Sequence, residues 1–69
     1  MAGPVKRSLT IRGHRTSISL EAPFWAALQG AAAREGISLA ALVTRIDEAR
    51  GRSGLSSAIR VYLLERMTG

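Results

Sequence analysis

In the stretch GHRTSISLE (Gly13–Glu21), Arg15, Ser17 and Ser19 alternate with Thr16, Ile18 and Leu20. A two-residue period is that of a strand with one wet and one dry face. The wet face then carries a guanidinium, a rigid fork of N–H donors, and two short hydroxyls that both donate and accept. A face that meets only solvent more usually mixes Glu, Lys and Gln. This set suits hydrogen bonding to a partner rich in acceptors.

Other chemistries find little to work with. There is no cysteine and a single histidine, His14, which beside Gly13 reads as a turn residue. One histidine cannot build a metal site, and no serine has a base placed nearby to activate it. No Gly-rich loop of the nucleotide-binding kind occurs. Asp47 and Glu48 fall at helical spacing from Arg45, Arg50 and Arg52, which reads as surface pairing. Neither an enzyme nor a bound cofactor or metal is expected.

Charge points the same way as the wet face. Residues 1–20 hold Lys6, Arg7, Arg12 and Arg15 with no acid, so they supply +4 of the net +5. A basic segment beside a near-neutral body favours contact with a polyanion. At 69 residues the chain is one small domain, and a lone chain of this size is marginally stable. Without disulfides or a metal, oligomerisation is the remedy left. No apolar run approaches a membrane span, and KRSLTIRGHR lacks the apolar core of a secretory signal. A cytoplasmic protein is the expectation.

The elements that must position these residues follow from periodicity. The chain is expected to be a single domain over residues 1–69, with residues 1–5 flexible and residues 6–20 a basic strand region. Apolar residues fall on odd positions from Val5 to Ile11 and on even positions from Thr16 to Leu20. The phase flips across Gly13, so either two strands meet at a tight turn or one long strand carries a bulge.

Three helices are predicted, over residues 22–35, 39–50 and 55–67. Pro23 suits a first turn and Gly36 a C-terminal stop. Gly30 inside the first helix is unfavourable, and close packing would explain it. Phe24 and Trp25 read as core or dimer contacts. Ser38 is a natural N-cap for the second helix, whose Leu39, Leu42, Val43 and Ile46 form one apolar stripe. Ser56 or Ser57 would cap the third. That helix is apolar nearly all round, so it must be covered on more than one side, the second side by another subunit.

A strand followed only by helices leaves backbone edges unpaired. Pairing with the same strand of a second copy gives an antiparallel ribbon across a dyad, with helices from both chains under its dry face. The major groove of B-DNA admits a two-stranded ribbon, and arginine pairs with guanine O6 and N7 there. Arg15, Ser17 and Ser19 would then read bases, while Lys6, Arg7 and Arg12 serve phosphates.

The ordered set of KRSLTIRGHRTSISLE, FWAAL, EGIS and LSSAIR resembles a group of short bacterial single-domain proteins with the Arc- and MetJ-like ribbon-helix-helix fold, over Lys6 to Met67. The resemblance implies a mainly α homodimer, one strand per chain in an intertwined antiparallel ribbon, with alternate strand residues on bases. The third helix departs from that pattern as an addition at the C-terminus. In the family the second helix's N-terminus grips a phosphate. Two segments could do so here, at Ser38 and at Ser56 and Ser57.

The expected function is therefore sequence-specific double-stranded DNA binding by a nucleoid-associated repressor or regulator, with higher-order assembly on DNA left open. Neither a membrane nor a small-molecule substrate is implied. The alternative is a protein-interaction module, such as an antitoxin-like or adaptor protein, on the same fold.

Overall fold

The computed structural model describes residues 3–68. The chain runs as a β-hairpin followed by three helices: β1 (Val5–Ile11), β2 (His14–Leu20), α1 (Ala22–Glu35), α2 (Leu39–Ala49) and α3 (Leu55–Thr68). The expectation of a flexible start falls partly on Met1 and Ala2, which lie outside the described residues, and Val5 already belongs to β1.

The phase flip is a tight turn. Arg12 and Gly13 are the two loop residues, and both have positive φ, 55° and 80°. That combination belongs to the two-residue hairpin turn whose twist matches the flanking strands. β1 and β2 pair antiparallel, from Val5 opposite Leu20 to Ile11 opposite His14. The sequence leaves a hairpin and a bulged strand both open, and the family resemblance implies one strand per chain. The chain instead holds two, because the left-handed pair at Arg12 and Gly13 lets β1 fold back onto one edge of β2.

Helix boundaries have local causes. Glu21 stays extended ahead of α1, and Pro23 occupies its first turn, where a missing N–H costs no bond. Gly36 closes α1 at φ 67°, and the Ile37 N–H reaches back to the Ala32 carbonyl at 3.1 Å. This is the Schellman closure that glycine permits. The Ser38 side chain accepts from the Ala41 N–H at 3.0 Å and caps α2.

Two local expectations need correcting. At the start of α3 the residue ahead of the helix is Gly54, whose carbonyl accepts from the Ala58 N–H. Ser56 and Ser57 therefore lie inside the first turn and are not its cap. Close packing does not explain Gly30 either: a Cβ there would meet no atom within 4 Å.

One core joins all five elements. Ile11, Ile18 and Leu20 of the hairpin pack with Trp25, Leu28, Ala31 and Ala32 of α1, Leu42, Val43 and Ile46 of α2, and Ile59 and Leu63 of α3. Burying a side chain of the Leu or Ile class is worth about 1.5–3 kcal/mol. An exposed ion pair is worth about 1 kcal/mol at most. The hairpin is thus held on the helices chiefly by its dry face. α3 divides as its composition requires: Ile59 and Leu63 are buried, whereas Val61, Leu64 and Met67 are 51%, 60% and 81% exposed.

Candidate nucleic-acid interface

The pairing register sorts the hairpin into two faces, because directly opposed residues share a side. Val5, Arg7, Leu9 and Ile11 lie with Leu20, Ile18, Thr16 and His14 on the face that meets the helices. The outer face carries three opposed pairs: Lys6 with Ser19, Ser8 with Ser17, and Thr10 with Arg15. All six are exposed except Ser19, which is half-buried.

This outer face is chemically uniform. Two cations stand at opposite ends on different strands, with four short hydroxyls between and beside them. Lys6 and Arg15 are four register positions apart, about 13 Å at the rise of a strand. Among the described residues, none of the six side chains has a hydrogen-bonding or ionic partner within the chain. No carboxylate occurs on either strand. The face therefore offers donors that folding has not used, in a field of one sign.

Several of the other cations are engaged within the chain. Arg7 lies on the inner face with its guanidinium 5.2 Å from the centre of the Trp25 ring. Arg12, at the hairpin tip, lies 3.6 Å from Asp47 and 3.9 Å from Glu48. Arg60 pairs with Glu21 at 2.8 Å and stands over the Phe24 ring at 5.6 Å. Its hydrogen bond is the main reason the Glu21 carboxyl is held below the usual carboxylate range.

Asp47 is lowered likewise, first by its hydrogen bond from Arg50 and then by the nearby Arg50 and Arg12 charges. Its pairing with Arg50 is the helical contact expected from spacing, but Arg45 turns instead to Glu35 at 2.7 Å. Acids and their partner arginines thus gather on the helix side, which leaves the hairpin's outer face purely cationic.

The sequence-derived residues separate accordingly. Lys6, Arg15, Ser17 and Ser19 come together on one face; Arg7 does not, and Arg12 sits at the edge in ion pairs. Ser38 and the Ser56–Ser57 pair stand at the first turns of two different helices, α2 and α3. Ser8 and Thr10 also belong to the outer face, beyond the residues that the alternation in β2 picks out. Their signal lies in Val5, Leu9 and Ile11, which mark the odd positions of β1 as dry. The even positions Lys6, Ser8 and Thr10 are then wet, and Arg7 is inward.

A family model described as a ribbon-helix-helix domain matches residues 4–67. The chain belongs to the ribbon-helix-helix family. Proteins of this family commonly bind DNA as dimers, and the fold is a regulatory, DNA-binding or antitoxin type, not an enzymatic one. Comparison of this ribbon-helix-helix chain with curated proteins and with solved structures gives no significant match. No described helix is long and apolar enough to cross a membrane.

Proposed function

We propose that this ribbon-helix-helix protein binds double-stranded DNA sequence-specifically as a homodimer and acts as a transcriptional repressor or regulator. The observation that carries the reading is the hairpin's outer face: Lys6, Arg15 and four hydroxyls, internally unpartnered, with no carboxylate among them. Arg15 supplies the bidentate fork that matches guanine O6 and N7, and Ser17 and Ser19 meet neighbouring base edges.

Lys6 serves a phosphate, giving affinity without sequence information. Arg12 reaches a phosphate from the hairpin tip by exchanging Asp47 and Glu48 for it. Arg7 does so only by leaving the Trp25 ring, so its share is the smallest. The first turns of α2 and α3, at Ser38 and at Ser56 and Ser57, are the places where backbone N–H groups would hold further phosphates.

The homodimer draws support from the family and from apolar surface left in water on α3 at Val61, Leu64 and Met67. Such a protein would work in the cytoplasm, on the nucleoid. The same α3 side chains favour a second reading, a protein-interaction module such as an antitoxin-like or adaptor protein.

Fluorescence anisotropy on a random duplex and on a duplex selected from a randomised pool, each across a salt series, separates the two. DNA binding with a steep salt dependence and a preferred sequence is the expected result. Failure to bind either duplex at low salt overturns the DNA reading and leaves the protein-interaction one.

A further inference from the structure

Independently of the DNA-binding reading, we propose that the groove between α1 and α3 docks an amphipathic helix of a partner protein, apolar along one face with acidic residues beside it. The groove is one continuous feature. A hollow of about 440 Å³ at Phe24 and another of about 540 Å³ at Arg34 share Ala27, Leu63 and Met67. Ala27 and Ala31 project only methyl groups, so the α1 side is low, while Leu64 and Met67 stand on the α3 side. Val61, Leu64 and Met67 are each more than half exposed.

Shape selects a helix. Arg60 of α3 pairs with Glu21 just ahead of α1, and Arg66 with Glu35 at the end of α1, so the two helices run in the same general direction. Two helices side by side leave a trough that accepts the apolar ridge of a third. From Phe24 to Arg34 this trough measures about 15 Å at the helical rise, nearly three turns. The partner would present apolar residues at i, i+3 or i+4, and i+7.

Charge selects the kind of helix. The charged side chains lining the groove are Arg34, Arg60 and Arg66, with no carboxylate among them. Arg60 is balanced by Glu21. At the other end one carboxylate, Glu35, serves both Arg45 and Arg66, and Arg34 has no ionic partner among the described residues. The dipoles of α1 and α3 favour cations in their last turns, but that does not account for the apolar side chains left in water beside them. Acids flanking the apolar stripe of a partner helix would meet Arg34 and Arg66.

A second copy is the poorer occupant. A two-fold interface sets the same patch on both subunits, so two such grooves would bring arginines against arginines. Val61 also borders a separate hollow on the α2 side of α3, with Ala49 and Ala58, and that flank stays open to a second copy. No hairpin residue lines the α1–α3 groove, so docking there leaves the outer face of the hairpin clear.

The test selects a display library against the full chain. Its members are helical peptides of about 16 residues, a little over four turns, with a fixed leucine stripe and randomised flanking positions. Enrichment of Asp and Glu beside the stripe is expected. The best peptide, labelled, is then titrated by anisotropy against wild type, Met67→Glu and Arg34→Glu. Both substitutions sit on exposed residues, and far-UV circular dichroism checks that each variant is folded.

Met67→Glu is expected to weaken the peptide about tenfold or more, the loss of one buried apolar contact. Arg34→Glu should weaken it about fivefold, and a peptide with lysines in place of its acids should bind that variant better than wild type. Binding of a random DNA duplex by Met67→Glu should match wild type, so this proposal and the DNA reading can fall separately. Selected peptides without acids, or equal binding by wild type and Met67→Glu, would overturn the proposal. So would sedimentation velocity in which Met67→Glu breaks a self-association of wild type, since the groove would then belong to a second copy.

Discussion

The indole Nε1 of Trp25 donates a hydrogen bond to the Val5 carbonyl at 2.9 Å, tying the buried face of α1 to the first residue of β1. The Trp25 ring is buried, and the Arg7 guanidinium rests over it. At the other end of the hairpin, Arg12 faces Asp47 of α2. The ribbon is thus fixed to the helices at both ends, by a neutral bond near its open end and an ionic one near its tip.

Trp25→Phe keeps an aromatic ring in the core but removes the donor. It is expected to cost about 1 kcal/mol in urea unfolding, the usual net worth of one such bond, with the denaturant slope unchanged. Amide exchange in β1 should accelerate more than in β2, because only β1 loses its anchor. Equal protection of both strands would show that the indole bond does not hold β1 in place. Trp25→Ala should cost roughly 3–5 kcal/mol, since it also opens a cavity.

Two glycines should respond to alanine in opposite senses. Gly13 has φ 80° in the hairpin turn, and an added Cβ would meet no neighbour, so any penalty there is backbone strain alone. Gly13→Ala is expected to destabilise by about 1–2 kcal/mol. Gly30 lies inside α1 with open space around its missing Cβ, so Gly30→Ala should stabilise by about 1 kcal/mol. Thermal melts of the two variants beside wild type check both signs at once.

How much of this is legible in the sequence depends on the range of the cause. The Gly36 stop and the Ser38 cap are local events, and residue type alone identifies them. The odd-to-even flip also marks the hairpin, yet the same pattern fits a bulged strand. What separates the two is the left-handed backbone at Arg12, a conformation that an arginine does not advertise. Arg7 misleads for a similar reason: its charge speaks for solvent, while its odd position and the Trp25 ring draw it inward. The α3 start falls to Gly54 because a flexible residue can cap by backbone alone. Ion pairs such as Arg60 with Glu21, 39 residues apart, have no sequence signal at all.

Glu35 should make stability depend on acid. At the end of α1 its carboxylate accepts from the Tyr62 hydroxyl at 3.1 Å and from Arg45 at 2.7 Å, with Arg66 at 3.5 Å. The Tyr62 hydrogen bond first, then that from Arg45, hold this carboxyl below its ordinary value of 4.5. A carboxyl lowered by folding adds stability that is complete above the unfolded value and lost as pH falls through the folded one.

Glu35→Gln should therefore lower the urea midpoint at pH 7, and the gap from wild type should close as pH drops below 4.5. A gap that stays constant down to acid pH would assign the effect to shape and not to charge. Tyr62 gives the converse at the alkaline end. Burial first, then its bond to Glu35, raises the phenol above its ordinary value of 10.0. Its contribution is complete below that value and lost as pH rises through the raised one.

On DNA, three cations of the N-terminal segment should separate by their place on the hairpin. Arg15→Ala is expected to cost about 1–3 kcal/mol on a cognate duplex and to relax preference at one base position, the loss of a bidentate pair. Lys6→Ala should weaken binding to all sequences alike and flatten the salt dependence by about one unit, the signature of a lost phosphate contact.

Arg7 carries the same charge as its neighbour Lys6, but the alternation of the strand places it on the inner face, over Trp25. Arg7→Ala should therefore change DNA affinity less than Lys6→Ala does, and instead loosen β1, visible as faster amide exchange. Anisotropy titrations of the three variants at several salt concentrations, run with an exchange measurement on Arg7→Ala, test this order. Equal losses for Arg7 and Lys6 would mean that Arg7 leaves the Trp25 ring to meet a phosphate. The inner face would then take part in binding.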